Sequence, residues 1–167
     1  MTLLSIDLAP TASGVCVFGG EDRVLHLDTI LPPKALSVMG RQRYTVAVLR
    51  LLCELFEVSE VALEDYAHKL RSSAVTAIRE QGGAVKQVLI DAGARIYLYN
   101  VSVIKQFATG HGGANTEAML KAFRRTSRLR RTVTEHEVDA WFIGRLHYDN
   151  VRRRLLGEEE WPCTYVG

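Results

Sequence analysis

Aspartate closes the apolar run Leu3-Leu4-Ser5-Ile6-Asp7, and glutamate closes a second run, Val61-Ala62-Leu63-Glu64. A third acidic group, His136-Glu137-Val138-Asp139, opens a helical stretch late in the chain. Carboxylates at the ends of buried strands are costly to keep ionised unless positive charge compensates them. A divalent cation is the usual compensation, so these residues predict a metal-dependent active site assembled from distant segments. His136 and Asp139 stand three apart, which puts them on one face of a helix, in its first turn. If the first and fourth strands pair in parallel, Asp7 and Glu64 come side by side and all four side chains converge. Three carboxylates and an imidazole suit two hard divalent ions; Mg²⁺ takes oxygen ligands and Mn²⁺ also accepts imidazole. Two such ions roughly 4 Å apart activate water and stabilise the leaving oxygen in phosphodiester cleavage.

Each residue taken singly has a plainer reading. Asp7 could be a strand-end acid paired with a lysine, and Glu64 could simply begin a loop. His136 could be a cap or surface histidine, and Asp139 a favourable charge near a helix start. The combination, in this order and spacing, is far more specific than any member.

The elements that must position these groups follow from local pattern. Residues 3–8, 14–18 and 23–30 read as three strands of an antiparallel meander, with Gly19-Gly20-Glu21-Asp22 as a turn. A helix over residues 37–57 carries the apolar stripe Tyr44, Val48, Leu51, Leu52, Leu55 and Phe56. A strand over 60–64 precedes a long helix from Ser72 or Ser73 to Ala92. Its Gly82-Gly83 pair costs roughly 1 kcal/mol per glycine against alanine, so another backbone, of a partner subunit or an adjacent helix, is expected to approach it closely. A strand over 95–99, a short helix over 101–107, the loop Gly110-His111-Gly112-Gly113-Ala114-Asn115 and a helix to Arg124 follow. Thr134 and Glu137 form a capping box opening a helix to about Asn150. The tail from Gly157 onward has little pattern and reads as loose. The order β-β-β-α-β-α-β-α-α predicts an α/β fold, a mixed five-stranded sheet with helices on both faces.

At 167 residues, with 47% apolar and 24% charged side chains, the chain is expected to form one domain with a substantial core. No apolar run is long enough to span a membrane, and no signal-peptide pattern opens the sequence. Cys16, Cys53 and Cys163 lack metal-site spacing; an odd, scattered set fits a reducing, intracellular setting. Net charge is only +2 but unevenly spread. From Tyr66 to Arg131 there are twelve Lys/Arg against three acids, and Lys121, Arg124, Arg125, Arg128, Arg130 and Arg131 form an acid-free run. Arg152-Arg153-Arg154 is a second cluster. Basic patches beside an acidic site point to a polyanion held over metal, with a solvated helix face as the bland alternative. The Gly110–Gly113 loop lacks the Gly-Lys-Ser/Thr of a nucleotide site, so no nucleotide cofactor is expected.

Five segments carry a family resemblance: Leu4-Ser5-Ile6-Asp7 with Ser13-Gly14-Val15, Ala62-Leu63-Glu64, Val103-Ile104-Lys105-Gln106 leading into Gly110, and His136-Glu137-Val138-Asp139-Ala140. Together they resemble the RuvC family of Holliday junction resolvases, which have an RNase H-like fold. The resemblance spans roughly residues 3–150. It implies a nuclease domain over 1–156 and a tail over 157–167. It implies a homodimeric, Mg²⁺- or Mn²⁺-dependent endonuclease, cytoplasmic, that nicks a four-way DNA junction symmetrically. The family's acidic tetrad maps onto Asp7, Glu64, His136 and Asp139, and a basic position near the scissile phosphate onto Lys105. The loop after the second acid, which in the family opens the junction, here holds Tyr66, His68, Lys69 and Arg71 as DNA-contacting candidates. Where the family places a lysine after the glycine-rich loop, this chain has Thr116 and Glu117, with Lys121 one turn on. That departure puts sequence preference in doubt and allows activity on other branched DNA. Short length and diverged loops suit a phage-borne member. The rival readings are a non-catalytic junction-binding scaffold, an actin-like nucleotide-binding protein (which 167 residues do not accommodate), and an RNase H-like nuclease acting on RNA–DNA hybrid.

Overall fold

The computed structural model describes residues 1–65 and 73–166. The first two strands, β1 (Leu3–Asp7) and β2 (Ser13–Phe18), are buried at every position. A strand buried on both faces must be covered by helices on both sides. The third, β3 (Val24–Ile30), is only partly covered, as an edge strand should be. These three form the antiparallel meander, with Asp7 opposite Gly14 and Gly14 opposite Thr29. β4 (Glu60–Glu64) then joins β1 in parallel, in register from Leu3 beside Glu60 to Ile6 beside Leu63. β5 (Arg95–Tyr99) extends the sheet in parallel, placing Tyr99 beside Glu64.

A sixth strand, β6 (Cys163–Val166), pairs antiparallel with β5, so the sheet order is β3-β2-β1-β4-β5-β6. The expected five-stranded sheet is therefore six-stranded among the described residues, and the segment read as a loose tail is part of it. The physical reason lies eleven residues upstream. Buried Asn150 donates to the Trp161 carbonyl (2.9 Å) and accepts from its N–H (2.7 Å), clamping the backbone just before β6. The Trp161 indole donates to Asp149 and its ring meets Phe107 edge-on.

Helices α1 (Val38–Phe56) and α2 (Ser73–Asp91) cover one face of the sheet, where Leu49, Leu52, Val85 and Leu89 meet Leu4, Ile6, Val61 and Ile96. The other face carries α3 (Val101–Thr109), α4 (Thr116–Thr126) and α5 (Glu135–Leu156). Four starts have a polar cap: Ser37, Asn100, Asn115 and Thr134 accept from backbone N–H groups in the first turns of α1, α3, α4 and α5. The α1 stripe matches its expected position only in part, through Val48, Leu52 and Phe56. Thr45, Leu49, Leu52 and Cys53 face the core, whereas Tyr44, Leu51 and Leu55 are exposed. α1 carries two apolar ridges; Thr45 joins the inner one because its hydroxyl donates to the Arg41 carbonyl. Helix α5 outruns its expected end at Asn150 by more than a turn, stopping where Gly157 adopts a left-handed conformation.

Candidate active site

Asp7 ends β1 one residue beyond the Ile6–Leu63 pair, which sets it beside Glu64 at the end of β4. Leu3, Ala62 and Tyr99 belong to the core shared with α5. Side chains alternate along a strand and match across neighbours, so Asp7 and Glu64 belong to that same face. α5 starts directly above. Its capping box is complete: Thr134 Oγ1 accepts from the Glu137 N–H (3.1 Å), and the Glu137 carboxylate accepts from the Thr134 N–H (2.9 Å). The first turn thus starts at a defined residue, and His136 reaches down to Asp7, with Nδ1 2.7 Å from Oδ2. Asp139, one turn on, is partly buried.

Two glycines let α5 come this close. A Cβ on Gly14 would stand 1.8 Å from the His136 carbonyl oxygen. Two turns later, a Cβ on Gly144 would stand 2.2 Å from the Phe18 ring and 2.8 Å from Ser5 Oγ. Ser5, within β1, donates to the Ala140 carbonyl (2.7 Å) and ties the helix to the strand that carries Asp7. Ser5 and Gly14 already stood among the residues carrying the family resemblance; nothing in the sequence marked Gly144.

The electrostatics show mutual repulsion between the carboxylates at the site. Burial, followed by the charge of Asp7, pushes the Asp139 carboxyl up to about 7, and Lys105 on α3 opposes that rise. The hydrogen bond to Asp7 raises the His136 imidazole above its ordinary value, against the effect of burial. A carboxyl titrating near neutrality beside other ionisable groups is a signature of functional sites. The donor set fits a hard divalent cation, whose charge would relieve the repulsion between Asp7 and Asp139. Among the described residues, no three His, Cys, Asp or Glu side chains are already grouped tightly enough to grip an ion.

The remaining sequence candidates fall in three groups. Lys121, Arg124 and Arg125 are exposed on α4, and Arg128 and Arg130 are exposed in the segment that follows. Arg131 is different, because it forms a bidentate pair with the buried Glu137 (3.1 Å to each oxygen). Tyr66, His68, Lys69 and Arg71 lie outside the described residues. The second basic cluster is internally paired: Arg152 and Arg153 with Asp149, and Arg154 with Glu160. Sequence reasoning missed a buried polar chain below the site. His147 bridges the Tyr99 hydroxyl (2.8 Å) and Glu60 (2.9 Å), and Glu60 pairs with Arg95 (2.6 Å). Its members lie far apart in sequence, and only the fold brings them together.

No family model matches the sequence, and no curated protein matches it. Solved structures do. Thermus thermophilus RuvC in complex with a Holliday junction substrate superposes with a TM-score of 0.76 at 23% identity, over 94% of this chain and 96% of that one. A second T. thermophilus RuvC structure gives a TM-score of 0.71 at 23% identity, over 96% and 99%. The chain therefore has the RNase H-like fold of RuvC across nearly its whole length.

Proposed function

We propose that this protein is a divalent-metal-dependent, structure-selective DNA endonuclease that resolves four-way junctions by paired nicks. The observation that carries the reading is the placement of the α5 first turn over Asp7, which brings His136 and Asp139 to the strand ends bearing Asp7 and Glu64. The structural likeness to a RuvC solved on a Holliday junction supports the choice of substrate.

Asp7, Glu64 and Asp139 would hold two Mg²⁺ or Mn²⁺ ions, with His136 binding the second or orienting the attacking water. The bound ions would supply Lewis acidity for water activation and for the leaving oxygen. The chain's own groups do the rest. In its neutral form, with Nδ1–H donated to Asp7, His136 would keep a lone pair on Nε2 for a ligand or a water proton. Lys105, close enough to influence Asp139, can offset charge building on the scissile phosphate. Lys121, Arg124, Arg125, Arg128 and Arg130 give phosphate contacts without sequence information. In the 66–71 segment, Tyr66 or His68 would stack on a base, with Lys69 and Arg71 on the backbone.

A homodimer would place two sites on one junction through an isologous interface. The exposed Tyr44, Leu51 and Leu55 on α1 support a second copy on this face. At the Gly82-Gly83 pair on α2 an added Cβ would meet nothing within 4 Å among the described residues, which leaves room for such a copy.

The test is a labelled four-way junction, linear duplex and splayed fork incubated with the protein and Mg²⁺, Mn²⁺ or EDTA. The reading predicts metal-dependent, symmetric nicks in the junction. Fork cutting as well would broaden the substrate range. Tight junction binding without cutting under any metal would replace the enzyme with a scaffold. Preferential hydrolysis of an RNA–DNA hybrid would move the activity to RNA.

A further inference from the structure

Arg131 belongs by sequence to the run of cations before α5, yet its surroundings set it apart. Its Nη1 donates to Glu137 Oε2 (3.1 Å) and to the Thr132 carbonyl (2.9 Å). Its Nη2 donates to Glu137 Oε1 (3.1 Å) and to the Leu27 carbonyl on β3 (2.5 Å). All four terminal N–H groups therefore have partners inside the protein, and only Nε–H has none among the described residues. A phosphate seeking the usual two-pronged grip would have to displace them. Doing so would strand the Glu137 carboxylate, whose side chain is only 5% exposed.

The partners are placed to matter. Glu137 is the third residue of α5, adjacent to His136, and closes the capping box on Thr134. Thr134 is itself clipped to the edge strand, with its Oγ1 2.7 Å from that of Thr29. Thr29 pairs with Gly14, and Gly14 with Asp7. The segment entering α5 is thus pinned to β3 at two points: Thr29, on the row that ends at Asp7, and Leu27, on the row that ends at Ser5. We propose that Arg131 is a positioning residue: through Glu137 and the edge strand it sets the first turn of α5, and so the seating of His136 and Asp139 over Asp7. It acts on the reaction through that turn rather than on the DNA. This deepens the nuclease reading and rests on it for the catalytic consequence only.

Arg131→Gln, Arg131→Lys, Glu137→Gln and the double variant Arg131→Gln/Glu137→Gln test the assignment, with Arg130→Gln as the phosphate-contact control. Three quantities are measured: amide hydrogen exchange over residues 134–139 without metal, junction affinity against salt in EDTA, and single-turnover cleavage. Arg131→Gln and Glu137→Gln should each speed exchange in that turn and slow cleavage by about 10–100-fold, as loss of a ligand-orienting partner does. The double variant should be no worse than either single one, because both break the same link. The salt slope should stay at wild type in all of them, whereas Arg130→Gln should flatten it by about one. Arg131→Lys keeps the charge but not the fork, so it should fold yet show faster exchange and slower cleavage. The inference is overturned if Arg131→Gln flattens the salt slope while exchange is unchanged, or if Arg131→Lys matches wild type throughout. Should wild-type protein neither bind nor cut the junction, the nuclease reading fails, and the exchange data alone still decide whether Arg131 holds the turn.

Discussion

Gly14 lies directly beneath the His136 carbonyl: a Cβ there would come within 1.8 Å of that oxygen. The same row of the sheet places Asp7 next to Gly14, and His136 Nδ1 lies 2.7 Å from Asp7. A missing side chain on one strand thus permits a hydrogen bond to the next. Gly14→Ala should lift the start of α5 off the sheet, at a cost of about 1–3 kcal/mol in stability. Cleavage should fall far more than stability, by about 100-fold, since misplacing catalytic groups by about 1 Å has that effect. Thermal melts and single-turnover rates on one preparation check this; a variant that melts lower but cuts at the wild-type rate would separate Gly14 from the site.

Asp139 gives a pH dependence of definite sign. Its carboxyl titrates at about 7 in the folded protein, raised first by burial and then by Asp7. Between its unfolded value near 3.9 and about 7, the folded state holds more protons than the unfolded one, so stability falls as pH rises. Metal-free Asp139→Asn should therefore melt higher than wild type above pH 7, with the advantage vanishing below about pH 4. Melting curves in EDTA across that range are the measurement. In wild type, protons compete with metal at this carboxyl, so cleavage at limiting Mg²⁺ should climb through pH 7 and level off above it.

The exposed cations of α4 and the segment after it should act additively and without sequence preference. Arg125→Gln should weaken binding to junctions of different sequence equally and reduce the salt slope by about one. Filter binding or anisotropy from low to moderate salt checks it. A loss confined to one junction sequence would mean base contact instead.

The clamp on the C-terminal segment should be local. Trp161→Ala removes the contact with Phe107, the indole bond to Asp149 and the ring beneath Arg153. A half-buried tryptophan lost in this way should cost about 2–3 kcal/mol. Hydrogen exchange should quicken along β5 and β6 while the first turn of α5 stays protected.

How much of this could be read from the residues depended on how local the signal was. Asp7 and Glu64 were legible because short apolar runs ending in an acid mark strand ends. The start of α5 was legible because its capping box sits within four residues. The inner face of α1 was not, since Tyr44, Leu51 and Leu55 repeat as regularly as Leu49, Leu52 and Cys53, and only packing against the sheet separates them. β6 was invisible because four residues hold little pattern and its anchor is Asn150, on another element. Arg131 could be counted as a cation, but its partner Glu137 was read only as a cap. The sign of a charge is written in the sequence; what it faces is set by the fold.

The central claim is that Asp7 anchors a metal-dependent cutting site on junction DNA. Its most direct test compares wild type with Asp7→Asn on a labelled four-way junction, measuring binding in EDTA and single-turnover cleavage in Mg²⁺ and in Mn²⁺. The account predicts that Asp7→Asn binds the junction at least as tightly as wild type and loses cleavage by about 1,000-fold or more in both metals. Cleavage by Asp7→Asn at the wild-type rate would contradict it.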